Sequence, residues 1–400
     1  MLADYDPRHL AHRRAPLDLL GPLREAAPIV HNPTIGGWML LRFDDVQEAL
    51  RDPRLSNARI QSYAAHLRQR GEDPGPIADS LAHWMVFNDP PRQMELRLMV
   101  AKTFGVRSMA RLKASIEEIV QRLIDRLEPA GKADLIADFA VPLPTLVIAR
   151  LLGIPEVDAP LLKRWSDEIA LFVGTSLEVA DRRQRAEQAV LAMRAYLHDQ
   201  ATSRAIDTDG TLIGTILRAE LDGHPVTASE AADIALSIVF AGHETTTHLL
   251  GNGVRQLLSH PDAWQRLVAQ ELTPEDAIEE CLRFEGPVNA VARVVREPHE
   301  RFGAPLRPGE RVFLMLGAAN RDPRRFDDPD SFLPDRRDHR HLAFGFGTHF
   351  CLGALLARLE ATTALAALAA RLPNLRLLPG EPDWLDSLVL RGMRSLPVTF

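Results

Sequence analysis

Apolar residues recur at three- and four-residue spacing through 109–128, 133–152, 181–203, 229–258 and 350–372, so each stretch is expected to be a helix with at least one buried face. Alternating or β-branched runs are few and short. They lie at 28–31 with 37–42, a hairpin through Gly36-Gly37, and at 291–295, 311–315 and 387–399. The pattern predicts a mainly α protein of the α+β kind, with small sheets beside a large helical core. Pro and Gly punctuate the chain without forming a polar linker, so residues 1–400 are expected to be a single domain. The polar stretch 56–88, containing GEDPGP, is expected to be irregular and to serve as a lid over a ligand. No internal repeat or low-complexity tract interrupts this reading.

Composition narrows the function classes. A hydrophobic content of 46% with 25% charged residues is that of a folded chain, and a net charge of -7 argues against nucleic-acid binding, which needs basic residues to neutralise phosphates. The two cysteines, Cys281 and Cys351, allow neither a disulfide framework nor a CxxC zinc site, which fits a reducing cytoplasm. The amino terminus MLADYDPRHLAHRR has no apolar h-region and no window is apolar enough for a membrane span, so the protein is expected to be cytoplasmic, neither exported nor membrane-anchored.

Candidate chemistry centres on HLAFGFGTHFCLGALLARLE at 341–360, where a glycine-rich turn leads through Cys351 into a predicted helix. A cysteine at a helix amino terminus faces free N–H groups and the positive end of the dipole, which favour a thiolate; a buried thiolate calls for a metal. Gly345 and Gly347 can adopt conformations closed to other residues and aim amides at the sulfur, Gly353 leaves space for a large flat ligand, and Phe344 can shield the sulfur. A buried structural cysteine is the commoner fate of a lone thiol. A phosphate-binding glycine loop is excluded, because Phe350 stands where a third glycine would be and no Lys-Ser/Thr follows.

Position for position, this loop resembles the haem-binding signature FGxGxHxCxG of the cytochrome P-450 family, whose thiolate ligand favours O–O cleavage. The resemblance implies haem b, Cys351 as the iron ligand and His349 at a haem propionate. The predicted helix over 232–250, ADIALSIVFAGHETTTHLL, adds to it. His243 and His248 are five residues apart and diverge around a helix, which rules out the zinc site that HExxH would form. AGHETT instead resembles the family's oxygen groove, implying that Ala241 and Gly242 clear the distal face and that Glu244 and Thr245 form an acid–alcohol pair, with Glu244 supplying protons from solvent. Thr246, Thr247 and His248 are read as structural.

Further motifs stand in the family's order. Glu280 and Arg283 match ExxR, a structural pair on one helix face. Ser331 occupies a place where many relatives carry a basic or polar side chain completing that network. Arg293 in VARVVREP and Arg97 in MVFNDPPRQMELRLMVAKTF match propionate ligands, while Gln93 replaces the usual histidine and brings an N–H without a charge. Haem binding is expected to survive that change with altered propionate electrostatics. Cys281 is expected to be a core thiol.

The resemblance runs from about Trp38 to LRGMRSLPV and implies a monomeric monooxygenase. It would take O2, with NAD(P)H electrons arriving through a ferredoxin reductase and a ferredoxin, for which Arg358 offers a docking cation. The substrate is expected to be a small apolar organic molecule, with a pocket drawn from the 56–88 and 165–180 regions, Ser237, Phe240, Ala241, Asn289 through Val291, Val389 and Leu390. A peroxide-using enzyme would not need Glu244 and Thr245, and a haem sensor or electron carrier would not need the oxygen groove.

Overall fold

The computed structural model describes residues 5–173, 181–203 and 210–400. Its axis is the helix Ala228–Ser259, started by a reciprocal cap in which the Thr227 hydroxyl accepts from the Glu230 N–H and the Glu230 carboxylate accepts from the Thr227 N–H. Helices Pro142–Leu152, Arg182–Thr202, Pro274–Glu285 and Ala354–Arg371 pack around it, so most of its middle is buried, with Ser237, Phe240, Ala241 and Thr245 left partly exposed. Ala354–Arg371 lies against Val106–Leu127, whose apolar stripe from Ile116 to Leu127 is fully enclosed. Among the described residues, no helix is long and apolar enough to cross a membrane.

The larger sheet has five strands in the order Ile29–Asn32, Gly37–Leu40, Arg311–Leu314, Val291–Val295 and Leu55–Ser56. The expected hairpin is present, with its turn ending at Gly36 in the left-handed region (φ +67). A side chain at Gly37 would lie 2.7 Å from the Arg311 carbonyl, so the glycine pair lets the hairpin close onto the next strand. Strand Val291–Val295 pairs antiparallel with Arg311–Leu314, Arg293 opposite Val312, and period-two alternation sends Val291 and Arg293 to the same face.

Three expectations need correction. Residues 56–88 are not irregular: they form helices Arg59–Gln69 and Gly75–Leu81 and a short turn at Met85–Phe87, with Ile60, Ala64, Leu67, Ile77, Leu81 and Trp84 buried beneath the polar positions. Residues 133–152 are not one helix. The Asp134 carboxylate accepts the Ile136 N–H, a wide turn follows at Ile136–Ala140, and Pro142 and Pro144 confine the regular helix to Pro142–Leu152. Over 387–399 only Pro397–Thr399 is a strand, with single pairings of Leu390 to Val288 and Met393 to Trp384 before it.

Glu280 and Arg283 are completely buried and bidentate, at 2.8 and 2.7 Å. Arg283 also donates to the Asn320, Pro329 and Ser331 carbonyls, and Glu280 accepts the Leu333 N–H at 2.7 Å. Ser331 thus contributes its backbone. The basic side chain completing the network is Arg336, whose Nε lies 3.4 Å from Glu280 Oε2. Asn320 continues the chain of bonds by accepting the Leu342 N–H at 2.7 Å, so the pair anchors the backbone that enters the cysteine loop. Removing Arg283 strands a buried carboxylate, whereas removing Arg336 leaves the bidentate pair intact. In denaturant unfolding of the purified protein, Arg283→Leu should cost about 3–5 kcal/mol and Arg336→Ala about 1–2 kcal/mol; equal losses would refute this ranking.

Candidate active site

Gly345 (φ +69) and Gly347 (φ +74) take the left-handed conformations that the sequence called for, and the loop closes through Cys351 N–H to the Phe344 carbonyl at 2.9 Å. The helix starts at Ala354, capped by Gly353, so Cys351 stands just ahead of its first turn. A side chain at Gly353 would meet no described atom within 4 Å. Burial pushes the Cys351 thiol up, and the Gly353 N–H and the Arg97 and Arg358 charges offset this only partly. The helix end alone therefore does not make the thiolate; a bound cation would have to. Phe344 is covered by the Arg358 guanidinium at 4.4 Å, and Arg358 is itself paired to Glu279.

Helix Arg92–Ala101 grips the loop from the side. Gln93 donates to the Thr348 carbonyl at 3.0 Å and Arg97 to the Phe350 carbonyl at 2.8 Å. Gln93 thus braces the loop backbone, where the sequence suggested a propionate contact. His349 Nε2 is buried without a hydrogen-bond partner, and burial, followed by the Arg293 charge, pushes the ring down to about 4. Among the described residues the side chain of Arg293, 5% exposed, makes a single hydrogen bond, to the neighbouring Ala292 carbonyl; burial, with Arg59 adding and Asp89 opposing, pushes it down to about 10. The Asp89 carboxylate nearby is taken up by the Ser56 hydroxyl and the Asn57 N–H. Cations and a free ring nitrogen near Cys351 would suit a metal-bearing ligand that also carries carboxylates, and haem is such a group.

Across from this edge the central helix presents Ala241, exposed in the middle of an otherwise buried helix, and Thr245, half-exposed, whose hydroxyl donates to the Ala241 carbonyl at 3.1 Å. Gly242 does not face the same space: a side chain there would lie 2.4 Å from Ile148 Cδ1, so this glycine admits helix Pro142–Leu152. Glu244 is buried, not solvated. His243 Nε2 lies 3.1 Å from its Oε1, Lys163 Nζ 3.4 Å from the same oxygen, and His248 Nε2 3.5 Å from Oε2. Burial raises this carboxyl, but the two imidazoles and the Lys163 charge hold it well below the usual carboxylate range. Lys163 is also ion-paired to half-exposed Asp167, giving Glu244 an indirect link to solvent. His248, read as structural, thus lies beside Glu244, and its i+4 spacing was a readable signal of that; Lys163 lies 81 residues away and left none. Thr247 is structural as expected, bonding to the Ala140 carbonyl.

The predicted pocket residues divide. Phe240 meets Trp84 at 5.1 Å, Ser237 bonds back to the Ile234 carbonyl, and Val291 shares a face with Arg293. Asn289 turns away: it is bonded to Tyr5 and the Leu388 carbonyl, and with Leu390 it borders a gap of only about 10 Å³. Val389 serves through its carbonyl, which accepts the Asn289 and Ala290 N–H groups. Of the 165–180 region, Phe172 meets Tyr63 at 5.8 Å, while 174–180 lie outside the described residues.

Residues 274–379 match the family described as Cytochrome P450. The chain is 37% identical over 370 residues to the cytochrome P450 monooxygenase PikC of Streptomyces venezuelae, covering 90% of this chain and 84% of that protein. It superposes on P450BioI, solved in complex with acyl carrier protein ligated to hexadec-9Z-enoic acid, with a TM-score of 0.88 at 30% identity, covering 98% and 99% of the two chains. Myxobacterial CYP267B1 in complex with myristic acid gives a TM-score of 0.89 at 36% identity, covering 98% of each chain.

Asp167 is pushed up to about 6, by burial and then by the Glu244 charge. An acid raised on folding lends stability below its ordinary value of 3.8 and loses it as pH rises through about 6. Asp167→Asn has no such loss, so its denaturation midpoint should rise relative to the parent between pH 4.5 and pH 7.5. An unchanged gap at the two pH values would rule this coupling out.

Proposed function

The chain belongs to the cytochrome P450 family of monooxygenases, and from that premise we propose that residues 1–400 act as one haem b domain that hydroxylates or epoxidises a small apolar substrate. The observation that carries this reading is the gathering near Cys351 of Arg293 and Arg97, neither of which has an ion pair among the described residues, and of His349 with its free Nε2, together with the partly exposed Ala241–Thr245 turn of the central helix. Cys351 would hold the iron, and Arg293, Arg97 and His349 would receive the propionates. Bound haem supplies the activation of O2. The protein's part is to place protons: the Thr245 hydroxyl, now on the Ala241 carbonyl, can turn to donate into the cavity, and Glu244 can restore its proton. His243, His248 and Lys163 would hold Glu244 ionised between transfers, with Asp167 as the group nearer to solvent.

Electrons would come from NAD(P)H through a ferredoxin reductase and a ferredoxin in the cytoplasm. A concavity of about 580 Å³ at the cysteine loop supports this docking site: Arg337, Arg340, His339 and His341 line it with Phe344 and Phe350, and Asp338 and Glu279 offset part of the positive charge. Leu98, on the helix that holds the cysteine loop, and Leu355, in the first turn after it, are also exposed. Arg358, paired to Glu279, adds less charge than its type suggests. The fatty-acyl ligands of the two structural relatives make a long-chain acyl or polyketide-like compound the first substrate class to test.

The reduced carbon-monoxide spectrum of the purified protein should carry a thiolate-type band that Cys351→Ser abolishes; its absence from the haem-loaded parent would overturn the ligand assignment. With a compound that shifts the ferric spin state, Thr245→Ala should divert electrons to peroxide, cutting product per NAD(P)H by roughly tenfold or more. Unchanged coupling would remove Thr245 from the proton path.

A further inference from the structure

Arg59 is the first residue of helix Arg59–Gln69, at the end where free N–H groups are already partly positive, and no acidic residue stands in that turn. A cation is unfavourable there on its own helix. Its guanidinium lies 4.7 Å over the Phe87 ring and, among the described residues, makes no hydrogen bond or ion pair. It is largely withdrawn from water, and burial pushes it down to about 10. The helix packs against strand Val291–Val295, and the Arg59 charge bears on Arg293, itself almost unpaired. Two guanidinium groups thus share a low-dielectric pocket and repel each other. The Asp89 carboxylate is held by Ser56 and Asn57 and forms an ion pair with neither.

Phe87 stacks on Trp84 at 5.8 Å, and Trp84 meets Phe240 of the central helix at 5.1 Å. Arg59 therefore caps a row of aromatic rings running from the Arg293 edge to the distal side. Arg59 is half-buried with an aromatic face but no ion pair, and Asp89 offsets only part of the charge on Arg293, so an arriving anion would stabilise both; the flat, forked guanidinium matches a carboxylate. We infer that Arg59 anchors a carboxylate inside the site, between Arg293 and the aromatic row. The carboxylate has two possible sources. One is a haem propionate, where Gln93 brings no charge and gives its N–H to the loop; the other is the acid group of an apolar substrate.

The inference rests on the haem-thiolate reading, whose failure would appear first as a missing thiolate band in the parent protein. With that band present, Arg59→Gln and Arg59→Lys are compared with the parent in two assays. The first is haem transfer to excess apomyoglobin; the second is ferric spin-shift titration with C12–C16 fatty acids against their methyl esters. Transfer about tenfold faster in Arg59→Gln, partly restored by Arg59→Lys, assigns the propionate. Unchanged transfer with an approximately tenfold loss of acid affinity and none of ester affinity assigns the substrate acid. If Arg59→Gln moves neither quantity, or if the parent binds no acid and haem transfer is unchanged, Arg59 anchors no carboxylate.

Discussion

A charge taken out of water must be met by an opposite charge or by several hydrogen bonds, and that demand organises this molecule more than any other. At Glu280 and Arg283 it is met within the chain: every valence is used, and the bonds run on through Asn320 to Leu342 at the entrance of the cysteine loop. At Glu244 it is met by three cationic or imidazole side chains from two helices. Around Arg293 and Arg59 the chain does not meet it, and the thiol of Cys351 is pushed toward its neutral form. The satisfied clusters are scaffolding; the unsatisfied one marks where a ligand of opposite charge belongs.

Much of this was legible in the sequence because it is local. The glycine conformations at 345 and 347, the Glu280–Arg283 spacing and the helical periods all depend on residues within one or two turns of each other. What was not legible depends on distant partners. Arg336 reaches Glu280 across 56 residues of chain, so the motif pointed to position 331, where the Ser331 backbone carbonyl accepts from Arg283 instead of a side chain joining the network. Gly242 was read by the groove it belongs to, but which face of a helix a glycine clears is decided by what packs there, here Ile148. The 56–88 region failed for a related reason: its surface is polar, and the apolar positions beneath it are too sparse to show a period. Asn289 was placed in the pocket by position, whereas its partners are at the two chain ends.

The site also shows how one departure is absorbed. With glutamine at 93, the helix Arg92–Ala101 still positions the cysteine loop, since Gln93 and Arg97, one turn apart, hold two carbonyls of that loop. Geometry and charge are thereby separated: the loop keeps its shape through neutral bonds, and electrostatic matching of a ligand falls to other residues. Histidine at this position would combine both tasks.

The central helix spans 32 residues, about 48 Å from end to end. Thr245 and Glu244 lie close to its midpoint, with Thr227 at one end and Ser259 at the other. A rigid rod that tips about its centre moves most at its tips: a rotation of about 5° shifts either end by about 2 Å and the middle hardly at all. A tilt of this rod would therefore be felt most by whatever packs at its ends and least by Glu244 and Thr245 at the fulcrum. Movement at the tips and constancy at the centre are then two properties of a single lever.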